Sequence, residues 1–337
     1  MNKQKEKKNK QIKALITGSS GFIGSHLTTA LIEKGWDVYA LVRKSTDTGW
    51  LEKQKVHLVQ ADYSDSASLK KAVAGMDYVF HVGAALKAPD FETFIKANAV
   101  STKELAAACV EHNPKLKKFL YVSSMAAVGP SIPGVLKTEK DENTPTSLYG
   151  QSKMAGEEFL KNFADRLPYV IVRPPNVLGT GQQELKMVIN FANKRVLPQL
   201  GNGDKQISII FVADLVRALI LAAESDKVSG EAYLVTDNRV HSWRDLIYAV
   251  AESLGKTPYV LKMPFPVLYV IAILSEFFAK IFRGSPLLSM ADLMGVRRNY
   301  WLFDSRKIRE ELGFEPRIEL KDGLREVIEY YRAEKII

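Results

Sequence analysis

The chain has 337 residues, 46% hydrophobic and 25% charged, the proportions of an ordinary globular protein long enough for one large or two intimately joined domains. Of its net charge of +9, Lys3, Lys5, Lys7, Lys8, Lys10 and Lys13 against Glu6 supply +5, so the remainder is mildly basic and no nucleic-acid partner is implied. One cysteine, Cys109, excludes internal disulfides and thiol-based metal sites, and the histidines show no ligand spacing; a reducing, cytoplasmic setting fits, with no metal.

Residues 1–11 read as a disordered basic arm, either solubilising or in weak contact with anionic lipid. The apolar Ala14-Leu15-Ile16 runs straight into a glycine loop with no cleavage site, so it is a buried strand rather than a signal peptide. Strands are predicted at Ile12–Thr17, Asp37–Arg43, Val56–Gln60, Tyr78–Val82, Lys118–Ser123 and Tyr169–Arg173. Helices are predicted between them at Phe22–Lys34, Ser66–Ala74, Phe91–His112 and Ser147–Asp165. This alternation implies crossover units, and the nearly all-apolar strands imply helices on both faces. The fold expected is α/β, a Rossmann-type doubly wound parallel sheet. Cys109, in a small-residue helix, reads as core packing.

After Arg173, Pro174, Pro175, Gly179, Gly181, Pro198, Gly201 and Gly203 break the chain into loops. A strand-like run at Ala232–Thr236 returns to the sheet, and helices follow at Trp243–Leu254, Asp304–Leu312 and from Leu320 to about Glu334. We therefore expect a dinucleotide-binding domain over 12–177 with a returning segment near 207–238. A smaller, mostly helical substrate-binding portion is expected over 178–206 and 239–337.

The loop Gly18-Ser19-Ser20-Gly21-Phe22-Ile23-Gly24 follows the first strand and opens the first helix. Gly18 permits the turn, Gly21 admits the backbone to a pyrophosphate, and Gly24 allows close helix packing, while the helix amides face the anion. Ser20, Phe22 and Ile23 complete this candidate cofactor loop. An NAD site usually has an acidic residue at the end of the second strand to hold the ribose 2′-hydroxyl. Here that strand ends in Arg43-Lys44-Ser45, which suits a 2′-phosphate, so NADP(H) is favoured and NAD(H) remains open, with Arg43 then stacked on adenine or merely solvated. Asp62, before Tyr63, could accept from the adenine amino group.

Tyr149 and Lys153 lie one helical turn apart, 25 residues after Ser123-Ser124. A carbonyl reduced by hydride needs a proton at its oxygen, and a free phenol with a pKa of about 10 exchanges protons poorly near neutrality. An ammonium on the same helix face favours the phenolate. Ser124, just past a strand, is placed to hydrogen-bond the substrate oxygen. Loop, serine and Tyr-x-x-x-Lys together read as a nicotinamide-dependent enzyme with Ser124, Tyr149 and Lys153 as its catalytic residues.

These residues resemble the extended short-chain dehydrogenase/reductase superfamily, also called NAD-dependent epimerase/dehydratases. The likeness runs through Thr17–Gly24, Ala61-Asp62-Tyr63, Phe80–Ala85, Tyr121–Ser124, Tyr149–Lys153, Arg173–Val177 and Leu312–Pro316. It implies that Gly83, Ala84 and Ala85 line the cofactor, that Pro174, Asn176 and Val177 pass beside the nicotinamide, and that Asn98 supports the active-site helix. It also implies a homodimer through the helices of Tyr149 and Asn98, with Ala97, Val100, Leu105, Ala108, Met154 and Phe159 as permissive apolar positions.

Within the superfamily, Ser124-Met125-Ala126 lacks the Asp-Glu of dehydratases, and Ile207 stands where sugar-nucleotide enzymes carry an arginine for the diphosphate. The resemblance is nearest to the 3β-hydroxysteroid dehydrogenase and dihydroflavonol reductase-like branch. It implies a hydrophobic small-molecule alcohol or ketone, with a nucleotide-sugar 4-epimerase as the alternative and a non-catalytic dinucleotide sensor or assembly subunit as the remote one. Arg297 or Arg298 reaching a diphosphate would favour the epimerase. Residues 264–282, rich in Phe, Ile and Leu but interrupted by Glu276 and Lys280, read as a lid, a packing or dimer helix, or a helix on a membrane surface.

Overall fold

The computed structural model describes residues 11–201, 203–281, 290, 293 and 300–337; the basic arm up to residue 10, Phe282, Arg297 and Arg298 lie outside them. Short apolar runs alternate with helices along the first half, and each run becomes a parallel strand. In chain order these are β1 (Lys13–Thr17), α1 (Phe22–Glu33), β2 (Asp37–Val42), β3 (Val56–Gln60), α2 (Ser66–Val73) and β4 (Tyr78–His81). Next come α3 (Phe91–Phe94), a π-helical turn (Ile95–Val100) and α4 (Ser101–His112), which together form one continuous helical stretch. Then follow β5 (Lys118–Val122), α5 (Met125–Val128), α6 (Leu148–Lys161), β6 (Tyr169–Arg173) and β7 (Asn176–Leu178).

The second half holds α7 (Gln183–Asn193), β8 (Val196–Leu200), β9 (Gln206–Ile207), β10 (Ile209–Phe211), α8 (Val212–Glu224) and β11 (Glu231–Leu234). It ends with β12 (His241–Ser242), α9 (Trp243–Leu254), β13 (Tyr259–Met263), α10 (Phe265–Ile281), α11 (Arg306–Leu312) and α12 (Leu320–Ala333). The main sheet has 7 strands in the order β11-β6-β5-β4-β1-β2-β3, every pair parallel. This is the doubly wound α/β sheet the alternation implies. The order reverses between β1 and β4, and a crevice opens there beyond the carboxyl ends of the strands.

Two cores sandwich the sheet. Leu27 and Leu31 of α1 join Leu215 and Leu219 of α8 on one face. Leu69 of α2, Leu105 and Cys109 of α4 and Leu160 of α6 fill the other. Cys109 has no exposure, and its burial pushes the thiol well above its ordinary pKa. Ile308 and Phe314 from the C-terminal region also enter the α1–α8 core. A third cluster joins α7, α9 and α12, with Ile189, Val250 and Ile328 fully buried. Leu105 and Ala108, named above as dimer positions, belong to the chain's own core; Ala97, Val100, Met154 and Phe159 are half-buried.

The start of α1 crosses close over the loop that leaves β1. A Cβ at Gly24 would lie 2.0 Å from the Gly18 carbonyl oxygen, and Gly18 itself has φ +69°. Neither backbone contact can give way as a flexible side chain could. Gly24→Ala should therefore cost at least about 1–3 kcal/mol of stability, read as a lowered urea midpoint, and an unchanged midpoint would contradict this crossing.

Candidate active site

The crevice is a cleft of about 1950 Å³ lined by the glycine loop, the ends of β2 to β6, and residues of α6, α7 and α9. All the candidate residues named from the sequence line it: Gly18, Ser20, Gly21, Phe22, Ile23, Gly24, Arg43, Asp62, Tyr63, Gly83, Ala84, Ala85, Ser124, Tyr149, Lys153, Pro174, Asn176 and Val177. The first turn of α1 has no capping side chain and no acidic residue, so its amides stay available to an anion. Beside it the Ser19 hydroxyl is buried with no hydrogen-bond partner. A Cβ on Gly18 would lie 2.6 Å from Gly83 Cα, so the β1 and β4 ends meet as bare backbone. These features fit the diphosphate of a dinucleotide.

At the carboxyl end of β2, Arg43 is exposed and its amide donates to Thr46 Oγ1 at 2.9 Å, drawing the loop after β2 against the cleft. Ser45 and Thr46 line the cleft with it, whereas Lys44 does not, so the two cations expected there reduce to one. Asp62 Oδ1 accepts from Ser64 N at 2.8 Å and Ser64 Oγ at 2.7 Å. These bonds, then Lys96 and Arg43, hold its carboxyl below the usual range.

Ser124, Tyr149 and Lys153 line another part of the cleft. Ser147 caps α6 by accepting from Gly150 N at 3.0 Å, a contact worth about 1 kcal/mol. A Cβ on Gly150 would lie 2.2 Å from the Ala126 carbonyl oxygen, so the glycine lets α6 abut α5 and brings Tyr149 to Ser124. Ser124 caps α5, its Oγ accepting from Ala126 N at 3.1 Å; the hydroxyl proton is left to donate. Burial pushes the Tyr149 phenol up to about 12, with the Ser124 hydroxyl opposing it. Lys153 Nζ donates to the Val122 carbonyl at 2.7 Å and lies 4.1 Å from the centre of the Tyr121 ring. Near neutrality Tyr149 is protonated, which suits a proton donor to a carbonyl oxygen.

Lys153 is 1% exposed. Desolvation brings its pKa from 10.5 down to about 7, and Glu157 opposes the fall. Glu157 has no exposure. It accepts from Arg173 Nε at 2.9 Å, from a second guanidinium nitrogen at 2.5 Å and from Ser123 Oγ at 2.5 Å. Sequence reasoning missed this pair: an acidic residue one turn after a lysine reads as a solvated helix position. Asn98 sits in the π-helical turn, a distortion frequent at functional sites. Its amide bridges both Ala85 backbone groups, at 2.7 and 3.0 Å, to Ser152 Oγ at 2.9 Å, tying the cofactor-facing loop after β4 to α6.

Beyond Tyr149 the walls turn apolar. Leu185, Val188, Ile207, Ile209, Trp243, Leu246 and Trp301 line that half, with Gln182 and Glu184 at its edge. Among the described residues the cleft's cations are Arg43, Lys96 and Lys153, and none belongs to this half of the wall. No described residue of 264–281 lines the cleft.

A fold and cleft of this kind define a nicotinamide-dependent oxidoreductase of the short-chain dehydrogenase type. Residues 14–236 match the model of the NAD dependent epimerase/dehydratase family, and the chain belongs to that family. It is 26% identical over 320 residues to a ceramide reductase of Caulobacter vibrioides, covering 94% of both chains. It is 25% identical over 328 residues to the decarboxylating sterol-4-alpha-carboxylate 3-dehydrogenase of Dictyostelium discoideum, covering 93% of this chain and 98% of the other. The UDP-glucose 4-epimerase of Thermotoga maritima shares the fold, with a TM-score of 0.80 at 23% identity over 96% of this chain and 100% of the other.

Two substitutions separate architecture from chemistry. The unfolded chain holds the lysine proton up to about pH 10.5 and the folded chain releases it near 7, so stability rises with pH through that window. Lys153→Met should lose this rise in urea titrations from pH 7 to 10, and lose activity by roughly a hundredfold or more. Glu157→Gln leaves Arg173 buried without a counter-charge and should cost about 3–5 kcal/mol, read as a lowered unfolding midpoint; a midpoint within 1 kcal/mol of wild type, to the order expected of exposed pairs, would refute the pair's importance.

Proposed function

We propose that the chain interconverts a secondary alcohol and a ketone on a largely apolar small molecule, steroid-, flavonoid- or lipid-like, with NADP(H) as the favoured cofactor. The observation that carries this is the apolar wall of Trp243, Trp301, Ile207, Ile209 and Leu246 opposite Ser124 and Tyr149. Such a wall stabilises a hydrocarbon body by about 25 cal/mol per Å² removed from water. Among the described residues it offers no cation to a diphosphate, which weighs against a nucleotide-sugar substrate. The names of relatives acting on ceramide and sterol point the same way. Arg43, at the end of β2, supports the 2′-phosphate, since its charge-assisted hydrogen bonds are worth about 1.5–3 kcal/mol.

When bound, the nicotinamide supplies or takes up the hydride. Ser124 donates to the substrate oxygen and holds it beside Tyr149. Tyr149 delivers its proton to that oxygen in the reducing direction and receives it in the oxidising one. Lys153, carried by the Val122 carbonyl, presents its charge to this end of the cleft and to the ribose. The apolar wall excludes water from the reacting centre.

Fluorescence titration of the purified protein with NADPH and NADH, followed by assay against hydrophobic ketones, tests the reading. NADPH should bind more tightly and be consumed, and Arg43→Asp should weaken it by roughly ten- to a hundredfold while leaving NADH little changed. Tyr149→Phe should lower turnover by about a hundredfold or more with cofactor binding intact. Non-exchanging NAD retained through purification, with epimerisation of a nucleotide sugar, would overturn the assignment.

A further inference from the structure

Helix α10 carries apolar side chains on two opposite faces. Leu268 and Ala272 are buried against Leu293, with Met263, Phe265, Tyr269 and Met290 around them. The other face, spaced by three and four residues, puts Val270, Ile273, Leu274, Phe277 and Ile281 in water. Their exposures run from 49% for Leu274 to 57% for Val270 and Phe277. Large apolar side chains gathered in one exposed stripe mark a contact surface. The single carboxylate of the helix, Glu276, accepts from Met290 N at 2.8 Å and is engaged by the chain's own backbone.

Charge chooses the occupant. Along β13 and α10 the sequence has Lys262 and Lys280 against Glu276 alone, and that carboxylate is already engaged. A second copy seated face to face would bring this positive excess against itself, whereas an anionic lipid surface complements it. Its 17 residues make a helix about 25 Å long, short of the roughly 30 Å hydrocarbon core. No described helix is long and apolar enough to cross a membrane. Helix α10 stands at the substrate half of the cleft. Gly201 N donates to Met263 O just before α10, Arg244 N donates to Gly203 O, each at 3.0 Å, and the neighbouring Trp243 lines the apolar wall.

We propose that the exposed face of α10 seats this protein on an anionic lipid surface, with the helix parallel to the membrane plane and its apolar stripe among the acyl chains. The seat is independent of catalysis, and its test uses no substrate. The full chain is floated with vesicles of phosphatidylcholine alone or mixed with phosphatidylglycerol. It should associate with the mixed vesicles, and Ile273→Ser with Phe277→Ser should weaken that association by roughly tenfold or more. An unaltered NADPH affinity shows that the double variant is folded. Phe277→Trp, the milder change, should add fluorescence that brominated lipid in the mixed vesicles quenches. Association unchanged by the double substitution would overturn the proposal by assigning binding to the basic arm, as would equal binding to neutral vesicles. A wild-type dimer that the double variant splits into monomers, with no vesicle binding, would assign the face to a second copy and overturn it too.

Discussion

Glu157 is a carboxylate with no access to water, and the arrangement of the reacting groups depends on how it is neutralised. An unpaired charge at such depth costs several kcal/mol; the bidentate Arg173 and the Ser123 hydroxyl offset that cost. Each partner is the chain neighbour of a cleft residue. Ser123 precedes Ser124, Arg173 precedes Pro174, and Glu157 stands one turn from Lys153 and two from Tyr149 on the same helix. One buried cluster thus fixes β5, β6 and α6 against one another at the point where the cleft needs sub-ångström placement. Met125 N donating to Pro174 O at 3.0 Å closes the same ring through the backbone.

Local chemistry made the first half of the chain readable. Its strands are short β-branched runs bounded by glycines and acidic turns, and β3, β6 and α9 have the predicted limits, Val56–Gln60, Tyr169–Arg173 and Trp243–Leu254. Between Arg173 and Ala232 the sequence pattern marks no individual helix, and α7 and α8 lie there. Both begin without a side-chain cap, and α8 is so apolar and so enclosed, with Leu215, Ala218, Leu219 and Ala222 all fully buried, that no polar face marks it as a helix. The parallel pair β8–β13 joins segments about sixty residues apart, a separation that periodicity does not register.

At the site, the glycine loop and Tyr-x-x-x-Lys were legible because their spacing is their mechanism. The Glu157–Arg173 pair and the Trp243–Trp301 wall were not, since each is assembled by tertiary packing from distant turns of the chain. The direction of the lysine ammonium was hidden for a related reason. Helical spacing places Lys153 beside Tyr149, but the Val122 carbonyl and the Tyr121 ring, contributed by β5, decide where its ammonium points. In the cleft as a whole, a polar end faces an apolar one. The division follows the chain, with β1 to β4 building the first and α7, α9 and Trp301 the second.

The sealed thiol has its own consequence. Cys109 is the only sulfhydryl in the chain and has no exposure, with its thiolate disfavoured by burial. Peroxide, glutathione and disulfide exchange act on accessible thiolates, so Cys109 gives none of them a thiol to attack while the fold is closed. Thiol chemistry on this chain has to wait for the α4 core to open.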